Sequence, residues 1–328
     1  MFASRYHRLL LAALLPLVAG CDHDDTPSLL PGQITFTQAG LYPEGSQYDA
    51  KRNRFLVSSQ TAGTIGQVDI NGHYSAFADD ASLVSTIGLN LDADRNRLLA
   101  AVSDPGYNTT RTSASTKGKL AALAMFDATT GARLANINLG SLRPNAAAHF
   151  ANDIAVDNLG NIYVTDSFAP LIYKIDTQGS ASVLLENAAL AAPTGAFGLN
   201  GIVYHPDGYL LVAKSDEGAL LKVPLNNPTA FSKVAATGLN LSGDDGLQLI
   251  DNTTLLVVCN AQGQVYRLSS TDSFGSLSRT GSFATGAQYP TTLSRLGSSS
   301  YVLYSHLDAL QKMQSPPITD FQLTRVVY

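Results

Sequence analysis

Glu44, Asn152, Asn200 and Asp245 are side-chain oxygen donors that stand in the same place relative to a short apolar run, and three of the four precede a glycine. Two carboxylates and two carboxamides form a hard-oxygen set carrying two negative charges. Such a set suits a divalent hard cation, calcium first, with water completing its six to eight positions. A zinc site would want histidine or cysteine, and neither residue type stands at these positions. The competing reading is local: Glu-Gly, Asn-Gly and Asp-Gly are turn-like pairs whose side chains satisfy nearby backbone groups. The shared register of the four favours the cation. Two carboxylates facing one closed channel repel each other unless positive charge sits between them.

A repeat of strands must bring these residues together. The clearest unit runs Asn152-Asp153-Ile154-Ala155-Val156-Asp157, turns at Asn158-Leu159-Gly160-Asn161, and continues with Ile162-Tyr163-Val164-Thr165 and Leu171-Ile172-Tyr173-Lys174-Ile175-Asp176. A fourth run follows at Ser182-Val183-Leu184-Leu185. Short β-branched runs between Gly, Asn and Asp turns read as strands, here four in an up-and-down meander. The same order starts again at Glu44, Ile87, Asn200, Asp245 and Pro290, and successive starts lie 43, 65, 48, 45 and 45 residues apart. A period in the forties with four strands per unit predicts an all-β fold, a six-bladed β-propeller of four-stranded antiparallel blades. Ile34-Thr35-Phe36-Thr37 is expected to pair with the last blade and close the ring. The long spacing comes from a Ser/Thr/Gly-rich stretch, 103–119, between the second and third strands of the second blade. Strand parity places it, and a second long connection at 306–320, over the face where the repeats start. Loops of that length are lids or surface insertions.

Composition narrows the function classes. The 328-residue chain is 45% hydrophobic, 14% charged and carries a formal charge of −5. Scattered Lys and Arg with no basic stripe exclude a nucleic-acid partner. The regular apolar runs exclude disorder. Residues 1–20 read as a signal peptide: Arg5 and Arg8, then ten apolar residues from Leu9 to Val18, too short for a membrane span of about 20. Val18-Ala19-Gly20-Cys21 is similar to a bacterial lipoprotein box, so Cys21 is the expected lipidation site and residues 21–32 a tether ahead of a propeller at 33–328. The expected location is the cell envelope, facing the periplasm or extracytoplasmic space, with membrane contact through the lipid alone. Asp22 resembles an inner-membrane retention signal. Cys259 lies in an apolar run and reads as a buried, inert thiol.

The chain resembles the senescence-marker-protein/gluconolactonase family of six-bladed propellers, with paraoxonases and diisopropyl-fluorophosphatase as wider relatives. The carriers are Tyr42-Pro43-Glu44-Gly45, Asn152-Asp153-Ile154-Ala155-Val156-Asp157, Gly198-Leu199-Asn200-Gly201-Ile202 and Asp244-Asp245-Gly246-Leu247. The resemblance implies a catalytic divalent metal on Glu44, Asn152, Asn200 and Asp245, and hydrolysis of lactones or related esters by a monomer. There are departures. The tryptophan that often follows the first Glu-Gly is absent, and the arginine usual before the third-blade Asn is missing, with His149 three residues before Asn152 instead. The wording Asn161-Ile162-Tyr163-Val164-Thr165-Asp166-Ser167 also resembles NHL repeats, many of them binding scaffolds.

For a hydrolase, Asp245 is expected to orient or deprotonate water, Asn152 to place the substrate, and His149 to serve as a base, its unperturbed pKa being suitable. His149 also reads as a plain loop residue at the ring mouth. His205, in a His-Pro-Asp-Gly turn, reads as structural, and Asp166, Lys214, Asp216 and Glu217 fall at the ring mouth. There is no Gly-x-Ser-x-Gly elbow, Ser-x-x-Lys, His-Glu-x-x-His, Walker loop or Cys-x-x-Cys, so serine hydrolase and ATPase chemistry lack support. The alternative is a non-enzymatic, membrane-tethered NHL-like scaffold whose channel metal is structural. A strictosidine-synthase-like condensation is disfavoured by Glu44 and Asp245.

Overall fold

Asp and Asn side chains shape the turns that cut the chain into strands. At 158–161, Asp157 Oδ1 accepts the amides of Leu159, Gly160 and Asn161 at 2.9–3.0 Å, and Gly160 takes the φ of +95° that the reversal needs. The computed structural model describes Met1, Phe2 and residues 30–328. Within it Pro31–Tyr328 forms one unit of six four-stranded sheets, every pairing between their strands antiparallel. The one α-helix among the described residues is Leu307–Gln311. The expected signal peptide from residue 3 onward, the expected tether up to residue 29 and the expected lipidation site Cys21 lie outside the described residues.

The first strands of the blades are Ser46–Asp49, Ser85–Asp92, Ala151–Val156, Leu199–His205, Asp244–Asp251 and Pro290–Leu296. Each packs against the first strand of the blade before and after it, the sixth against the first, so the six line a closed ring. The expected closure is present: Gln33–Thr37 pairs antiparallel with Asp320–Arg325 and becomes the outermost strand of the sixth blade.

Blades bury both faces against their neighbours. The second strands Ile162–Asp166 and Thr254–Cys259 are buried at every position, which explains their continuous apolar runs. Between blades three and four the core is Ala155, Tyr163 and Ile172 against Leu199, Leu210 and Leu221. Cys259 is a buried free thiol whose pKa burial pushes up, with Asp244 and Asp245 adding to the rise.

The 103–119 insertion is tied down rather than loose. Asp104 accepts from the Gly106 amide and from the Thr112 and Thr116 hydroxyls at 2.7–2.8 Å, and Asn108 Nδ2 donates to the Val84 carbonyl at 2.6 Å.

Candidate functional site

Glu44, Asn152, Asn200 and Asp245 line one cavity of about 530 Å³ at the end of the ring where the first strands begin. Pro105 and Tyr107 of the first long connection and Leu307, Leu310 and Gln311 of the second overhang the same cavity, as strand parity predicts.

Three of the four side chains are aimed by a local irregularity. The pairing of first and second strands slips between Ala151 and Ile154, Leu199 and Ile202, and Asp244 and Leu247. A bulge leaves residues out of the ladder and re-aims their side chains, and Asn152, Asn200 and Asp245 lie inside these three. The following glycines answer a steric demand rather than a turn: a Cβ on Gly201 would come within 2.1 Å of the Asp245 carbonyl oxygen, and one on Gly45 within 2.4 Å of the Ile87 oxygen. The turn-pair alternative is therefore corrected. These glycines let adjacent first strands approach at the hub.

A second set of residues, which sequence reasoning missed, orients these side chains. Asn152 Nδ2 donates to Ser167 Oγ at 2.9 Å, and Ser167 Oγ donates to the Leu199 carbonyl of the next blade at 2.6 Å. Asn200 Nδ2 donates to Ser215 Oγ at 3.0 Å, and Ser215 Oγ donates to the Asp244 carbonyl of the next blade. Asn260 Nδ2 donates to Asp245 Oδ2 at 2.8 Å. All three partners stand 15 residues after the group they hold. In the first blade Ser58 Oγ, 14 residues after Glu44, accepts the Glu44 and Gly45 amides. With both amide nitrogens engaged, the Asn152 and Asn200 oxygens are left over.

Those oxygens are the test of a cation. Glu44 Oε2, Asn152 Oδ1 and Asn200 Oδ1 are buried with no hydrogen-bond partner. Each such acceptor costs about 1–3 kcal/mol, so three lining one cavity fit a positively charged ligand. Among the described residues no three His, Cys, Asp or Glu groups gather as a metal cluster. All four groups offer oxygen, which fits a hard cation, and two of them are carboxamides rather than acids, so they form no acidic cluster. Electrostatics agree. Burial first, then Asp245 and Asp153, push the Glu44 carboxyl well above its usual range. Asp245 is pushed up to about 8, by burial first, against the Asn260 hydrogen bond. Asp153, also missed, sits at about 7 through burial, opposed by the Ile154 and Ile202 amides. Asp244 is buried with both carboxylate oxygens unpartnered, and burial and then Asp245 hold its pKa well up.

His149 is a correction. It does not line the cavity. Its Nδ1 meets Asp166 Oδ2 at 2.7 Å and its Nε2 donates to the Arg143 carbonyl at 3.0 Å. Burial disfavours its charge, but the Asp166 carboxylate outweighs burial and raises its pKa. Both ring nitrogens are committed, so no lone pair faces a substrate. Asp166 is likewise buried rather than at the rim: it accepts the Phe150, Phe168 and Ala169 amides and the Tyr173 hydroxyl. Lys214 is buried on Asp216 at 2.7 Å and Glu217 at 3.3 Å, and Asp216 reaches the cavity. His205 stacks on Tyr209 and bonds the Asn252 carbonyl at 3.0 Å, a structural role.

No family model matches this chain, and no curated protein matches it in sequence. Solved structures do match in shape. The allergen Mala s 1 of Malassezia sympodialis superposes with a TM-score of 0.70 at 18% identity, covering 90% of this chain and 96% of the allergen. Regucalcin from Agrobacterium tumefaciens, described as a calcium-binding protein, gives 0.62 at 16% identity over 90% and 95%. A protein provisionally described as a gluconolactonase gives 0.61 at 15% over 90% and 94%. At these identities the likeness establishes the fold, the six-bladed propeller, which hosts many chemistries.

Proposed function

We propose that the protein is a metal-dependent hydrolase of a lactone or related ester, with a divalent cation, calcium first, held by Glu44, Asn152, Asn200 and Asp245. One observation carries this: buried oxygens from different blades line one cavity, and three of them lack a donor. The shape likeness to a calcium-binding regucalcin and to a protein provisionally described as a gluconolactonase supports it at the level of fold. When bound, the cation supplies Lewis-acid polarisation of a carbonyl and stabilises the oxyanion charge as it develops.

The chain's own residues do the rest. Asp245, steadied by Asn260, orients a water and takes up its proton. Asn152, its amide fixed by Ser167, places the substrate. In the balanced reaction the water oxygen bonds to the acyl carbon and the acyl C–O bond breaks. One water proton passes to the leaving alkoxide, and the second is released from the new carboxylic acid. Metal analysis of the full chain equilibrated with calcium should find about one ion per molecule, together with turnover of at least one lactone or ester in a broad panel. Stoichiometric calcium without any turnover would replace this reading with that of a binding scaffold.

The proposed cellular setting is the bacterial envelope, with a monomer anchored through lipid on Cys21. The leader pattern supports it. No helix among the described residues is long and apolar enough to cross a membrane. Wild-type chain expressed in bacteria should partition into detergent, and Cys21→Ser should move it to the aqueous phase. Equal partitioning of the two proteins would remove the anchor.

A further inference from the structure

The cavity has a second half that the metal site leaves unused. Above the oxygen floor stand Phe150, Phe197, Tyr107, Tyr289, Leu307 and Leu310. Phe150 and Phe197 meet edge to face, at 5.2 Å between centroids and 88° between planes. Phe168 packs behind both at 5.2 and 5.1 Å, so the aromatic wall is braced. Phe197 is nevertheless 38% exposed, an unusual state for a ring that already has two partners within reach. It projects from the 191–198 connection directly over the cavity.

Charge points the same way. Among the described residues no Lys, Arg or His lines this cavity. Its acids are Glu44, Asp245 and Asp216, and Asp216 is neutralised by Lys214. A divalent cation balances the other two, leaving no surplus positive charge to recognise a carboxylate or phosphate. The volume, about 530 Å³, lies within the range of roughly 300–1,000 Å³ of small-molecule pockets.

We propose that the ligand of this cavity is a neutral lactone or ester bearing an alkyl or aryl arm, with the carbonyl on the oxygen floor and the arm lying along Phe150, Phe197 and the Leu307–Gln311 helix. This rests on the metal-hydrolase reading for the fate of the carbonyl, and on the wall alone for the arm. Anionic sugar-acid-type substrates are disfavoured.

The test uses γ-valerolactone and γ-decalactone, which share a ring and differ in a methyl or hexyl arm, and the same ring with a carboxylate arm. The wild-type chain should show kcat/KM rising about fourfold for each methylene the wall covers, and the carboxylate-bearing ring should be the poorest. Phe197→Ala and Leu310→Ala should each flatten the dependence on arm length; two variants guard against one that misfolds. The matching lactams, bound by calorimetry to Asp245→Asn and to wild type, read the arm without turnover. If nothing is hydrolysed but the hexyl lactam binds more tightly than the methyl one, the hydrolase reading falls and the apolar-arm assignment stands. If turnover and lactam affinity are both indifferent to arm length, or the carboxylate arm is preferred, the assignment is overturned while the hydrolase stands.

Discussion

Ser167 and Ser215 decide which end of an amide faces the cavity. Each hydroxyl donates to a carbonyl of the following blade, so it can only accept from the asparagine, and the asparagine oxygen is turned inward. Ser167→Ala removes that constraint without touching a ligating atom. It should weaken calcium binding by about 10–100-fold, the usual cost of losing such a support, measured by titration with a fluorescent chelator. Asp245→Asn should abolish both calcium binding and hydrolysis while the circular dichroism spectrum stays that of a β-protein. The raised carboxyls set a pH dependence. Asp153, at about 7, and Asp245, at about 8, hold protons in the folded metal-free chain that the unfolded chain has already released. Their stabilisation is complete below the ordinary carboxylate range and is lost as pH rises through those values. The metal-free protein should therefore melt at a lower temperature at pH 9 than at pH 5, and calcium should close the gap. An unchanged melting temperature across that window would remove the carboxylates from the hub. The four residues that line the hub cavity were legible because they share a register. Their supports were not, because serine, serine and asparagine differ in type while sharing only an offset. His149 misled because its decisive partner, Asp166, stands at the end of the blade's second strand, 17 residues on, and sequence adjacency to Asn152 says nothing of burial.

At the scale of the strand, the bulge and the glycine act together. The bulge turns a side chain toward the axis, and the glycine after it lets the neighbouring first strand come close. Gly201→Ala puts a methyl 2.1 Å from backbone that has no flexible end to move away. It should destabilise the protein by about 1–3 kcal/mol, the range of overpacking in a closed interior, seen as a shift of the urea midpoint at unchanged slope. Asp153 occupies the corresponding position of its blade, and its carboxylate accepts the Ile202 amide of the next one at 3.3 Å. There, as at Thr291, whose hydroxyl donates to the Glu44 carbonyl at 2.8 Å, a polar side chain joins two first strands where glycine brings the other four together. Strand count and blade order could be read from β-branched runs between turns. The bulges could not, since they arise where six strands converge, a demand that no single run records.

For the whole molecule, strand parity alone located two long connections over the cavity face, because an antiparallel blade returns its chain to the same end after every second strand. What parity could not say is that they, together with the shorter 191–198 connection, build an apolar wall, since that depends on conformations reached only after packing. The sixth blade carries a further consequence. Its outer strand is Gln33–Thr37 and its other three come from 290–325, so Thr37 and Asp320, hydrogen-bonded at 2.6 Å, are 283 residues apart in the chain. A ribosome therefore delivers the first strand long before its partner exists. Until synthesis reaches Arg325, two sticky edges wait unpaired, and the final step of folding is a contact across nearly the full contour of the polypeptide. A circular permutant that carries 33–37 after the last strand would turn that step into a local hairpin, and it should refold faster than the natural order without becoming a different machine.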